Sequence, residues 1–383
     1  MHAADGPGEY DVAFEAHAGT SPQPLAPGSV AYIGTGGPLP EGADAVVQIE
    51  DTATVAPRGG GAPWRVKILR RVQPGHDVRQ VGSDVAVGEV AVGAGSRVGA
   101  PEVGVLATVG ATSVAVRRAA HVAVLSTGDE VVEPSAPSLP PGKVRDANRA
   151  MLLAAAAAAG ADATDLGIAA DSAAGVEAAL DAALAAGADV LLTTGGVSMG
   201  DKDFVKPLLE RRGTVFFGKV CMKPGKPLTF ARVPPAAPGG RPLLVFGLPG
   251  NPASSLVTFH LVVVPCLRKL EGWADPSLRR VHVRTASDLK MDPERPEYHR
   301  AVARWALPPG AAAGALGGEL VAHSTGGQIS SRVLSLRAAN VLLEVPRAKG
   351  VLPAGTVLSA LVIGDLGEMP QPEAGATLQL AAP

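Results

Sequence analysis

Between His121 and Leu270, short apolar runs alternate with segments of helical spacing, and no other feature constrains the fold as tightly. HVAVLSTG reads as a buried strand, RDANRAMLLAAAAAAG as a helix that Asp146 or Asn148 can cap, and TDLGI as the next strand. A helix follows from about Ser172 to Ala186, then the strand ADVLLTT, the loop TTGGVSMGDKDF and a helix to about Arg211. TVFFGKV, LTFARV and LLVFGL are further strands, and NPASSLVTFHL opens a last helix that reaches about Leu270. Strand and helix in alternation imply a central doubly wound, mostly parallel sheet with ligands at the carboxyl ends of its strands.

The flanks have a different texture. SVAYI, AVVQI, WRVKILRRV and DVAVGEVAV lie between the turn signals TGGPLPEGAD, RGGGAP and QPGHD, which predicts an N-terminal β-rich domain left by a helix from Pro101 to Thr108. After Trp273, RRVHVRT, HRAVARWAL, ANVLLEVP and TVLSALVIG restore the two-residue period, so a small C-terminal β-barrel or β-sandwich is expected. PPGAAAGALGG reads as a hairpin tip and the residues past Gly367 as a disordered tail. The fold class is therefore α/β with flanking all-β modules.

Composition narrows the partners. With 34 basic and 36 acidic residues the chain has no global basic field, so neither nucleic acid nor an anionic membrane surface is expected to bind it. Its two cysteines, Cys221 and Cys266, have no C-x-x-C spacing, which argues against a disulfide framework, an iron–sulfur cluster or structural zinc and fits a reducing cytoplasm. The apolar stretch AMLLAAAAAAGA falls short of the roughly 20 residues that span a bilayer. The first residues, MHAADGPGEYDV, lack the features of a signal peptide.

Four loops are expected at the carboxyl ends of the predicted parallel strands: STGDE, TTGGVSMGDKDF, VCMKPGKPLTF and FGLPGNPASS. Each taken alone is ordinary, since glycines after a strand usually make only a turn and an Asp before a helix is commonly a cap. Together they bring backbone amides, Lys223 and Lys226, and the carboxylates Asp129, Glu130, Asp201 and Asp203 to one edge. Cations and carboxylates on one rim suit a phosphorylated substrate with a divalent ion, because Mg²⁺ takes one or two carboxylates plus substrate oxygens.

Other chemistries fit less well. Gly196 to Gly200 matches a G-x-S-x-G nucleophile elbow around Ser198, but the loop is too long, no HGGG segment precedes it, and His299 and His323 fall in the C-terminal β region. A Walker A motif fails because Gly195 to Gly200 continues Asp-Lys and Gly225-Lys226 continues with Pro. His260 and Cys266 sit on an apolar helix, where a buried structural role outweighs a thiol nucleophile. In the C-terminal region, Arg300, Arg332 and Arg337 with Ser330 and Ser331 can bind an oxyanion, though solvated arginines are as common.

TTGGVSMGDKDFVKPLLE, KPGKPLTFA, FGLPGNPASSLV, LSTGDE, RDANRAML, TGGPLPEGADAVVQIEDT and STGGQISSR resemble the molybdenum-cofactor insertases, the family of bacterial MoeA, the gephyrin E domain and its plant counterpart. The plant type is the most similar, and the resemblance covers nearly all of residues 3 to 365. It implies a molybdopterin-binding α/β domain over 119–272, a C-terminal barrel over 273–366, a β-rich insert over 21–95, and the remnant of a dimerisation domain in 1–20 and 96–118, with 367–383 as tail. It also implies a cytosolic homodimer that transfers molybdate onto adenylylated molybdopterin with Mg²⁺-dependent release of AMP, with the adenylyltransferase domain of the same pathway as a possible partner.

Matched position by position, Ser198 and Asp203 resemble the family's active-site serine and catalytic acid. Lys226, Pro227, Arg300 and Ser330 or Ser331 resemble groups around molybdate and the pterin phosphates, and Ser254 and Asp171 resemble further cleft positions. The expected substrate-binding set adds Gly195, Gly196, Asp201, Lys202, Lys223, Gly250, Asn251, Pro252 and Arg332, and the expected metal ligands are Asp203, Asp129 and Glu130. Ahead of ADGPGEY the family pattern has an SAMDGYA-type segment that helps form the dimer and supplies an acidic residue to the cleft; this sequence starts at Met1-His2. Two alternatives stay open at this point. One is a gephyrin-like scaffold that binds a peptide at the C-terminal β domain. The other is a molybdopterin adenylyltransferase, although that group resembles a GGTG loop where this chain has GGVSMGD.

Overall fold

The structure is a computed structural model that describes residues 1–59, 63–196, 204–307 and 318–367. Most of the TTGGVSMGDKDF loop, nearly all of the expected hairpin tip and the expected tail fall on 197–203, 308–317 and 368–383, outside the described residues.

The chain divides into two compact units. The first comprises Met1–Gly93 with Gly99–Thr112. It holds strands β1 (Gly8–Ala16), β2 (Val30–Ile33), β3 (Thr52–Ala56) and β4 (Arg65–Ile68) in one sheet of order β2-β1-β4-β3, and helix α1 (Ala100–Thr108). Strand β1 is bonded to β2 and β4, so this sheet joins residues before and after the expected boundary at residue 20. Two expected strands do not form. In AVVQI, Ala45 and Val46 donate to the carbonyls of Met1 and His76 rather than to a neighbouring strand, and DVAVGEVAV is broken by a turn at Gly88, which has positive φ. An apolar period of two makes a strand only where an unpaired edge is available to it.

The second unit, Ala94–Val98 with Ser113–Pro383, carries the site. In chain order it has β5 (His121–Thr127), the short pair β6 (Val131–Val132) and β7 (Val144–Arg145), α2 (Ala147–Ala158), β8 (Asp162–Ala169), α3 (Ala173–Ala185), β9 (Val190–Thr194) and α4 (Val205–Arg212). Then follow β10 (Thr214–Phe217), β11 (Thr229–Val233), β12 (Leu243–Leu248), α5 (Pro252–Thr258) and α6 (Val264–Leu270). The sheet order is β10-β11-β12-β9-β5-β8, parallel from β12 to β8 and antiparallel at β10 and β11.

Alternation along β5 builds two cores at once. Ala123 and Leu125 face α3 and α4 with Leu180 and Leu208, while Val122 and Val124 face α2 and α6 with Leu152 and Leu267. Each such leucine contributes about 2 kcal/mol by leaving water. The Asp146 side chain caps α2 by accepting from Arg149 N, and the Ser172 side chain caps α3.

The last helix is not one regular element. A π turn, Phe259–Val263, separates α5 from α6, because Pro265 has no N–H to offer and its ring crowds the carbonyl of Leu261. The run Pro252–Leu270 also has the length and apolarity of a bilayer span, more than the stretch singled out from sequence; half of it is buried, with Phe259, Val263 and Leu267 in the core beneath the sheet.

The remaining strands are β13 (Arg280–Thr285), β14 (Leu289–Lys290), β15 (Glu297–Ala306), β16 (Glu319–Ser324), β17 (Val341–Val345), β18 (Val351–Leu352) and β19 (Val357–Val362). Of the barrel and sandwich alternatives, the first forms: β13-β16-β15-β17-β19 closes on itself. Val257 of α5 packs with Leu342 and Leu361 of the barrel, which fixes the barrel against the helix that follows β12.

Candidate active site

Register brings three of the loops together. Thr194, the last residue of β9, pairs with Ser126 of β5 on one side and Leu248 of β12 on the other, so STGDE, TTGG and GLPGNP leave the sheet side by side. The fourth loop arrives differently from expectation. VCMKPGKPLTF precedes β11, which runs antiparallel to β12, so it reaches the same rim at the amino end of its strand, with Thr229 opposite Gly247. An antiparallel edge strand next to a parallel sheet reverses which of its ends meets the shared rim.

The loops approach closely. Gly195 has φ +93° and donates to Leu248 O at 3.3 Å, and a Cβ there would lie 2.3 Å from Thr127 O, so no side chain fits. Because Asp146 takes the cap of α2, the Asn148 amide is free to donate to Thr194 Oγ1 and Gly250 O, both at 2.7 Å, tying β9 to the PGNP turn. Asp146 also accepts from Ser126 Oγ at 3.0 Å and from Arg149 Nε at 2.9 Å, and Arg149 reaches Asp165 at 2.6 Å. The hydrogen bonds to Asp165 hold the Arg149 guanidinium charged beyond its ordinary range, and the same bonds hold Asp165 below the usual carboxylate range.

Around these loops lies a cavity of about 1030 Å³. From the expected set, Gly195, Gly196 and Asp171 line it with Glu130; so do Lys223, Lys226 and Pro227 of the KPGKP loop. Gly250, Asn251, Pro252 and Ser254 close another wall, and Ser330 and Ser331 of the barrel complete it. Asn251 Nδ2 donates to Ser330 Oγ at 2.9 Å and Ala253 N to Ser330 O at 3.0 Å, which holds the barrel loop against the start of α5.

Three expected site residues are not on the cavity wall. Asp129, which is exposed, accepts from Asp171 N at 3.3 Å, and Arg332 is exposed in the barrel loop. Arg300 is 0% exposed; its Nη2 donates to Ile329 O at 3.4 Å, while Nε and Nη1 have no partner among the described residues. Burial lowers its pKa and Glu297 opposes that. Its backbone N–H donates at 2.9 Å to Gln328, whose side chain does line the cavity. Ser198, Asp201, Lys202 and Asp203 lie outside the described residues.

Among the described residues no three His, Cys, Asp or Glu side chains gather as a ready-made metal cage. Glu130 and Asp171 nevertheless bring two carboxylates to a wall shared with two lysines, a donor set suited to a cation that completes its shell with substrate oxygens.

Sequence reasoning passed over several residues that shape the cavity. Asn148 was weighed only as a cap, and the RDAN order carried the signal, since a cap filled by Asp146 leaves the next amide free. Thr194, Gln328 and Arg295 lie inside or beside segments that the sequence marks, but their residue types do not single them out; strands and loops distant in sequence place them at the cavity.

The comparisons agree with this architecture. The MoeA N-terminal region (domain I and II) matches residues 1–110, a probable molybdopterin binding domain 123–269 and the MoeA C-terminal region (domain IV) 282–363. The chain is 35% identical to gephyrin of Dictyostelium discoideum over 96% of its own length, but spans only 55% of that protein and 55% of the cinnamon molybdenum cofactor synthesis protein of Drosophila melanogaster. It is 34% identical to the molybdopterin molybdenumtransferase of Bacillus subtilis, covering 94% of this chain and 79% of that protein. A solved molybdopterin biosynthesis MoeA protein from Pyrococcus horikoshii superimposes with a TM-score of 0.74 at 29% identity, covering 94% of this chain and 85% of that one. With the two MoeA regions flanking a molybdopterin-binding domain on one chain, and with 34% identity to a molybdopterin molybdenumtransferase of which it spans 79%, this protein belongs to the MoeA family of molybdopterin molybdenumtransferases.

Proposed function

We propose that the chain inserts molybdate into adenylylated molybdopterin with release of AMP. The observation that carries this reading is that Lys223, Lys226, Glu130 and Asp171 all line one cavity of about 1030 Å³. That volume is at the upper end of the range for small-molecule sites, as a nucleotide-linked pterin requires.

The roles follow from charge and position. Lys226 makes no side-chain hydrogen bond or ion pair among the described residues, so its ammonium is available to an anionic substrate. Ser330, Ser331 and the PGNP turn, which also line the cavity, supply neutral donors that orient oxyanions without needing to move. Gln328 links the cavity to Arg300, whose buried charge adds positive potential behind the wall. Glu130 and Asp171, with Asp203, would hold Mg²⁺, which when bound offsets charge on the phosphoanhydride. Asp203 and Ser198 keep their expected roles as catalytic acid and active-site serine in this proposal. The homodimer belongs to the same reading, and the free thiols Cys221 and Cys266 accord with a cytoplasmic setting.

The test is release of AMP and formation of active cofactor from adenylylated molybdopterin plus molybdate, followed with and without a chelator. Activity that needs the divalent ion and falls in Asp203→Ala supports the reading. An undiminished rate in Asp203→Ala removes that residue from the chemistry.

A further inference from the structure

One residue that lines the cavity, Lys223, is held by contacts to groups that do not line it. Lys223 Nζ donates to Glu297 Oε2 at 2.9 Å and lies 3.5 Å from Asp292. Glu297, 4% exposed, uses its other oxygen to accept from His299 Nδ1 at 3.0 Å. His299 Nε2 lies 2.7 Å from Ser324 Oγ, and Ser324 Oγ accepts from Gly326 N at 3.1 Å and faces Gly326 O at 3.4 Å. The backbone is joined as well: Lys223 N donates to Pro296 O at 2.9 Å and Tyr298 N to Lys223 O at 2.8 Å. Glu297 and His299 share one face of β15, two residues apart, so a single strand carries both links.

Ser324, His299 and Glu297 have the connectivity of a hydrolase triad. Neither Ser324 nor His299 is among the residues lining the cavity, however, and the far oxygen of Glu297 is bound to a lysine. The geometry therefore points to positioning rather than nucleophilic catalysis. We propose that Glu297 and His299, braced by Ser324, are positioning residues that fix the Lys223 ammonium on the cavity wall for the anionic substrate. This rests on the function proposed above and adds to it that the barrel, not the sheet, sets where one of the two lysine charges stands.

The contrast is with Lys226, which has no such anchor. Of two lysines three residues apart, one is immobilised by β15 and one is free to follow the ligand.

A double-mutant cycle tests the link in the full chain. Kcat/KM for AMP release is expected to fall about tenfold in His299→Phe, since small misplacements of a charged group carry costs of that order or more. His299→Gln, which can donate to Glu297 and accept from Ser324, should recover most of it. In a Lys223→Met background, His299→Phe should cause no further loss; losses that multiply would overturn the proposal. If His299→Phe does not fold, Ser324→Ala and Glu297→Gln run the same cycle, with denaturation midpoints measured alongside. A wild-type chain that releases no AMP defeats the functional reading instead. The positioning claim is then decided by crystal structures of Glu297→Gln and Ser324→Ala, where a Lys223 side chain held as in the wild type overturns it and a displaced one supports it.

Discussion

Asn251 at the start of α5 donates its side-chain amide to Ser330 Oγ across 2.9 Å, joining a turn of the central sheet to a loop of the barrel 79 residues later in the chain. Both residues line the cavity, so the bond shapes the wall as well as the docking of two modules. Ser330→Ala leaves the Ala253 N to Ser330 O bond in place and removes only the hydroxyl. A neutral hydrogen bond contributes about 1 kcal/mol to stability, so the unfolding free energy should fall by about that much, and because the lost hydroxyl belongs to a residue lining the cavity, catalytic efficiency should fall as well. Steady-state assay of AMP release beside a denaturant titration checks both.

Lys226 has no side-chain partner among the described residues, whereas Lys223 is ion-paired twice. Lys226→Ala should therefore leave stability unchanged and reduce turnover by about 10²–10³, the range for removing one preorganised donor. Lys226→Arg should restore only part of that, because a planar fork replaces a compact ammonium. Comparing turnover and thermal midpoints of the two variants separates loss of charge from loss of shape.

Arg300 is fully buried with two of its nitrogens unpartnered among the described residues, an arrangement that stabilises nothing by itself. Arg300→Met, with a similar length and no charge, should raise stability by about 1–2 kcal/mol and lower affinity for molybdate. Urea unfolding and calorimetric titration with molybdate make the comparison. A loss of stability would mean that Glu297 compensates the charge more fully than distance from the cavity allows.

His260 lies in the π turn, where burial pushes its imidazole down to about 4, with Arg268 adding to the effect. The folded chain binds this proton less readily than the unfolded chain, whose imidazole titrates near 6.5. Its stability contribution is whole above pH 6.5 and is lost as the pH falls from 6.5 toward 4, by up to about 3 kcal/mol at about 1.4 kcal/mol per unit. His260→Leu should flatten the stability profile in that window alone. Urea midpoints at intervals between pH 7 and pH 4 show whether it does.

Residues 121–270 announced their elements because local chemistry and tertiary demand coincide there. Leu125 and Leu191 sit in apolar runs of strand length, Asp146 and Ser172 are caps in the right places, and Gly195 marks a turn where no Cβ fits. The KPGKP, PGNP and SSR segments were likewise visible as motifs, and all three meet the cavity. AVVQI shows the limit, since its β-branched pattern is real but its amides find loop carbonyls instead of a strand.

What the amino-acid order determined alone was the type of each central element and the loops rich in glycine and charge, since propensity, capping and periodicity act over a few residues. Only the tertiary structure decided that β11 runs antiparallel, that Asn148 bridges two turns, that Arg300 lies behind the wall instead of on it, and that Lys223 is held by Glu297 and His299. Those outcomes depend on which strand edges pair and which side chains lose water together, and contacts such as Asn148 with Gly250 or Lys223 with Glu297, made between distant parts of the chain, leave no period in the sequence to read.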